Sequence, residues 1–224
     1  MHMPNIFLIK NILFTGLALI AFAANSVLCR LALGEGAIDP STFTIVRLLS
    51  GAIVLTVIIS ISNIKSKVSS SEKGSWSAGI MLFLYAITLS FAYVTLDTAT
   101  GALILFGSVQ ITMILLGIFS GNRLHASEWA GMAIAFTGFS YLVLPGVTTP
   151  SVTGFLLMTV SGIAWGVYTL KGRSSKNPMM DTAFNFLRTV PFVIILAIIT
   201  IKYAHYSSEG ILLAVLSGGI TSGI

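Results

Sequence analysis

The feature that most constrains this chain is its succession of apolar segments. Eight are present, at roughly 12–33, 40–61, 76–95, 98–120, 128–144, 152–171, 181–202 and 210–224. Several run 17 to 22 residues with no charge, or with one near an end, which is the length a helix needs to cross ~30 Å of hydrocarbon. A membrane barrel would instead alternate apolar and polar residues in ~10-residue strands. These runs are apolar on all sides, so the expected fold class is all-α integral membrane. Polar breakers separate them: "GEGAID", "SNIKSKVSSSEKGS", "GNRLHAS", "PGVTTPS" and "KGRSSKNP". Within the first of these, Asp39-Pro40 suits an N-cap followed by proline at the first helical position.

Composition agrees. The chain has 224 residues, of which 8% are charged, against about 25% in an ordinary soluble domain. A net charge of +5 does not indicate nucleic acid, because the basic residues are spread over short loops without a basic helix face. The single cysteine, Cys29, rules out an intrachain disulfide and reads as a small buried hydrophobe. His2, His125 and His205 have no ligand-like spacing, so no metal site is expected. The first run is too long for a signal-peptide core and is followed by further spans, so it reads as an uncleaved first helix.

Loop charges set the orientation. With the N-terminus inside, the inner connections hold eight basic residues: Lys10, Lys65, Lys67, Lys73, Arg123, Lys171, Arg173 and Lys176. The outer connections hold one, Lys202, and the loop bearing Glu35 and Asp39 is acidic. The last segment is short. Gly210 to Ile224 is 15 residues, or ~22 Å of helix against ~30 Å of hydrocarbon, and reads as an interrupted copy of a longer protein.

An internal repeat emerges when the chain is shifted by 141 residues, which sets Arg30 on Lys171, Phe43 on Phe184 and Arg47 on Arg188. "FTIVRLL" then overlays "FNFLRTV", and Ala23, Ile53, Leu55 and Ile58 meet identical residues. A five-helix unit has odd parity, so the second copy enters the membrane the other way up. Arg30 and Arg47 fall toward the outer side, Lys171 and Arg188 toward the inner. Inverted repeats of this kind let a central site face each side in turn.

The stretch "FAANSVLCRLALGEGAIDPSTFTIVRLLSGAIVL" resembles the first two helices of EamA-type proteins of the drug/metabolite transporter superfamily. "GIAWGVYTLKGR", "FNFLRTVPF" and "SGGITSGI" resemble the matching parts of a second EamA unit. The resemblance implies a multi-pass carrier of the bacterial cytoplasmic (inner) membrane, expected to act as an exporter of small metabolites such as amino acids or related compounds. It implies ten helices in two inverted five-helix units, with a cavity between them lined mainly by the first four helices of each. Here residues 1–147 would form the first unit. Residues 148–224 would form an incomplete second one, leaving about seven and a half of ten helices.

Several polar residues stand inside the spans. Arg47 lies seven residues after Pro40, ~10 Å along the helix, and a charge at the bilayer centre costs at least ~2.5–3.5 kcal/mol. Its side chain either snorkels to the outer interface or faces the interior. Ser50, Gly51 and Val54 share its face, and small residues mark packed or cavity surface more than lipid surface. The interior is therefore the expected side, where Arg47 would attract an anionic group. Asn25, Ser26, Thr88, Gln110, Trp165, Asn185 and Arg188 complete the set of cavity candidates. For Asn25 and Gln110 an interhelical hydrogen bond competes with substrate contact. Arg30, Tyr168 and Lys171 lie nearer helix ends and read as interfacial or anchoring. The spacings Gly117–Gly121, Gly162–Gly166 and Gly219–Gly223 suit close helix packing.

No acidic residue lies well inside a span, and there is no GxxxxGKS phosphate loop or assembled nucleophile set. The reading is therefore a non-enzymatic secondary carrier without a cofactor. Its partners would be the lipid bilayer and a small-molecule substrate. A homo-oligomer is compatible with this reading. The alternative is a non-transporting membrane remnant of such a carrier.

Overall fold

The computed structural model describes residues 6–61, 74–121, 125–143 and 151–221. Lys65, Lys67, Lys73 and Arg123, the boundary at 147, and Gly223 fall outside them. The described residues form α1 (Ile6–Gly34), α2 (Pro40–Ile61), α3 (Trp76–Tyr93), α4 (Thr98–Phe119), α5 (Ala126–Val143), α6 (Val152–Gly172), α7 (Pro178–Thr200) and α8 (Ser208–Leu216). A 3-10 turn, Ile201–Tyr203, follows α7, and a π-helical turn, Ser217–Thr221, continues α8. Among the described residues six helices, α1 to α4, α6 and α7, are long and apolar enough to cross a membrane. The chain is a multi-pass membrane protein.

Local chemistry sets the helix starts. Asp39 Oδ1 accepts from the amides of Ser41 and Thr42 at 3.0 Å each, ahead of Pro40. Ser75, Asp97, Ser151, Asn177 and Ser207 cap α3, α4, α6, α7 and α8 in the same way. Each side chain satisfies an amide that the helix leaves without an internal partner.

With lipid offering no drive to bury apolar surface, helices associate through close packing and hydrogen bonds. Gly162 and Gly166 on α6 approach α4 so closely that an added Cβ would lie 2.7 Å from the Leu105 carbonyl oxygen and 3.3 Å from that of Val109. Gly121 differs from the packing expected of it: its φ of +87° and open surroundings make it the turn that ends α4. Hydroxyls join other pairs of helices. Thr44 donates to Ser90 at 2.8 Å across α2 and α3, and Ser161 donates to the Tyr85 carbonyl at 3.0 Å across α6 and α3.

Helices distant in sequence are thereby brought together: α3 packs on α6, α2 on α7, and α1 on α8. At the end where α2 begins, Ile38 pairs with Tyr206, flanked by Asp39 N–H to His205 O and Ser207 N–H to Ala37 O, both 2.8 Å. Asp39 Oδ2 also accepts from the His205 amide at 3.0 Å. At the end where α7 begins, Asp181 Oδ1 accepts from the Gly74 amide at 2.7 Å and Asn185 Oδ1 from the Ser75 amide at 3.0 Å.

Candidate functional site

The crossing of α2, α3, α6 and α7 leaves a cavity of about 150 Å³. Arg47 and Leu48 come from α2, Leu82, Tyr85 and Ala86 from α3, Trp165 and Tyr168 from α6, and Thr182 and Phe186 from α7. Arg47 is 3% exposed. It faces the bundle interior rather than the lipid-facing surface. The local reason is packing: the α2 face with Ser50, Gly51 and Val54 lies against Phe186 of α7 and against Gly218 and Gly219.

Arg47 Nη2 donates to the Tyr85 hydroxyl at 3.1 Å, and the guanidinium carbon lies 5.2 Å from the Tyr85 ring centre. Nη1 approaches the Cys29 sulfur at 3.8 Å. A hydrogen bond and a cation–π contact thus replace part of the hydration that the charge gives up. The Trp165 ring lies 4.6 Å from that of Tyr85 and 5.3 Å from that of Tyr168, forming an aromatic wall. Phe22 meets Trp165 edge-on at 6.1 Å.

Asn25 sits in a polar knot between α1 and the end of α8. Its Oδ1 accepts from Ser217 at 2.8 Å, from Thr221 at 3.1 Å and, weakly, from Cys29 at 3.9 Å. This is an interhelical bond between α1 and the end of α8. Cys29 is buried as expected, but its neighbours are Asn25, Arg47 and Ser217, so its surroundings are polar. Ser26 is buried on α1, beside Tyr93.

Other sequence candidates stand apart from the cavity. Thr88 donates to the Leu84 carbonyl of its own helix at 2.7 Å. Gln110 is exposed on α4. Asn185 holds the start of α3, since its carbonyl takes the Ser75 amide. Arg188 is half-buried and lies over Trp76 and Phe184, at 5.8 and 5.9 Å from the ring centres. The two aligned arginines therefore occupy different surroundings.

Among the residues read as anchors, Arg30 donates to the Tyr93 carbonyl at 2.9 Å, at the C-terminus of α3, where a cation complements the helix dipole. Lys171 is exposed at the end of α6. Tyr168 differs from its expected role, because its ring lines the cavity beside Trp165.

Sequence reading missed Tyr85, Thr182, Phe186 and Ser217. Only Tyr85 carried a signal: a phenol well inside an apolar helix needs a hydrogen-bond partner.

No protein-family model matches the chain. An uncharacterized protein of Pseudomonas aeruginosa is 42% identical to it over 215 residues, covering 96% of this chain and 74% of that protein. An uncharacterized transporter of Archaeoglobus fulgidus is 28% identical over 171 residues, covering 73% of this chain and 57% of that protein. A solved crystal structure superposes with a TM-score of 0.64 at 20% identity, over 93% of this chain and 77% of the other. That likeness is one of fold.

Proposed function

This chain belongs to the same family as the uncharacterized Pseudomonas aeruginosa protein, and from that premise we propose that it is an EamA-type secondary carrier of small metabolites, acting as an exporter in the bacterial cytoplasmic membrane. The transporter among its relatives and its apolar helices support a membrane transporter in general. The observation that carries the finer reading is Arg47, buried at a cavity that α2 and α3 share with α6 and α7. An intramembrane cation that faces a cavity points to a functional site by default, a substrate path among them.

The proposed inverted repeat draws support from the two clasps at the helix starts. In a five-helix repeat α2 corresponds to α7, and α3 to α8. A carboxylate at the start of α2, Asp39, takes an amide just before α8. A carboxylate at the start of α7, Asp181, takes an amide just before α3. Each clasp is the counterpart of the other at opposite ends of the bundle. Rocking one unit against the other would open them in turn and present the cavity to each side.

The test is counterflow in proteoliposomes with a panel of radiolabelled amino acids and small organic acids. The carrier should show saturable uptake of at least one compound, and Arg47→Leu should lower its rate by at least ~10-fold while inserting normally. Uptake no greater than in protein-free vesicles across the panel would sink the reading.

A further inference from the structure

The lining of the cavity specifies the charge of what it holds. We propose that the cavity selects a small, net-anionic compound with a flat apolar body, an aryl-alkyl carboxylate in type, over the zwitterion or cation built on the same body. The inference rests on the carrier reading above and narrows its substrate class.

Three observations carry it. First, the charge among the described lining residues is of one sign: Arg47 contributes a permanent cation, and no lining residue is Asp or Glu. The hydroxyls of Tyr85, Tyr168 and Thr182 are the other polar side-chain groups on the lining, apart from the Trp165 indole N–H. A carboxylate would find a guanidinium and hydrogen-bond donors. An α-ammonium would find no carboxylate on the lining, since Asp181, beside Thr182, is engaged by the Gly74 amide at the start of α3, and burying a charged group without an opposite charge in contact is costly.

Second, one side of the cavity is aromatic. Tyr85, Trp165 and Tyr168 form a continuous wall with ring centres 4.6 and 5.3 Å apart. Of the other lining residues, Leu48, Leu82, Ala86 and Phe186 are apolar. Such a slot favours a flat hydrocarbon body, because aromatic faces gain from stacked or edge-on contact beyond their buried area.

Third, the volume is small. About 150 Å³ lies below the ~300–1,000 Å³ usual for drug-sized ligands. The cavity therefore accommodates one ring and a short acid arm rather than a larger amphiphile.

The test uses three probes with one body: 3-phenylpropionate, phenylalanine and 2-phenylethylamine, respectively anionic, zwitterionic and cationic at pH 7. The chain has three tryptophans, so Trp76→Phe with Trp129→Phe leaves Trp165 as a reporter within the cavity wall. In lipid nanodiscs, phenylpropionate should change Trp165 emission saturably. Phenylalanine should bind at least ~10-fold more weakly, and phenylethylamine more weakly still. Arg47→Gln should abolish the preference for the anion. Equal or tighter binding of phenylalanine or the amine would overturn the proposal, as would no response to any probe from protein whose circular dichroism is fully helical. Selective binding of the anion without counterflow would leave the selectivity standing and remove the carrier reading.

Discussion

At the scale of single residues, the polar side chains inside this bundle divide into those that hold helices together and those that line space. Asn25 belongs to the first group, joined through one oxygen to Ser217 and Thr221 across α1 and α8. Interhelical hydrogen bonds in membranes average ~0.6 kcal/mol, with a maximum near 1.7. Asn25→Ala should therefore lower stability by about 1 kcal/mol in a dodecyl sulfate unfolding titration in mixed micelles. A double-mutant cycle with Ser217→Ala should give a positive coupling energy; zero coupling would show that the bond contributes nothing. Arg47 belongs to the second group. The small residues on its face made its inward side legible in the sequence. Its pairing with Tyr85 was not legible, because the two lie 38 residues apart on different helices, and only the fold brings them together.

Among elements, α8 is the most exacting. An added Cβ at Gly218 would press on the Arg47 carbonyl oxygen and the Ser50 hydroxyl of α2. The first of these is backbone within a helix and yields little. Gly218→Ala should therefore destabilise the protein by about 1–3 kcal/mol, the usual range for overpacking, by parting α8 from α2. Gly16→Ala on α1, with nothing within 4 Å of the added methyl, should cause no loss. Measuring both in the same mixed-micelle titration separates packing from any general intolerance of glycine replacement; equal effects would refute the packing account. The sequence marked the helix starts well, since each capping residue precedes its own helix and acts locally. It did not show that the end of α8 takes a π-helical turn, because that geometry depends on what α8 meets on α1 and α2.

For the whole molecule, the clasps at the two ends of the bundle bear on how the carrier would work. Ile38 and Tyr206 form a non-hydrogen-bonded antiparallel pair, flanked by the two amide–carbonyl bonds of that clasp. Such pairs have Cα atoms ~4.5 Å apart, within the ~4.4–6.8 Å that a disulfide spans. In a Cys29→Ser background, Ile38→Cys with Tyr206→Cys should cross-link on oxidation and hold that end shut. Counterflow should then stop and return on reduction, while binding to Trp165-reporting protein persists. Unchanged transport by the cross-linked protein would mean that this end need not open.

Read by itself, the sequence determined an all-helical membrane protein, the limits of most of its helices within a few residues (α1 begins six residues before the expected 12), and Arg47 as the cation most in need of explanation. These are local properties. Hydrocarbon forces each backbone polar group to find its partner within its own helix, and capping residues act within one turn. What only the tertiary structure decided is which helices meet. It set Tyr85, Trp165 and Tyr168 beside Arg47, and placed Arg188 and Asn185 against the start of α3. Helices apolar on every side carry little record of which face will be covered. That choice is made by close packing and hydrogen bonds between segments far apart in the chain.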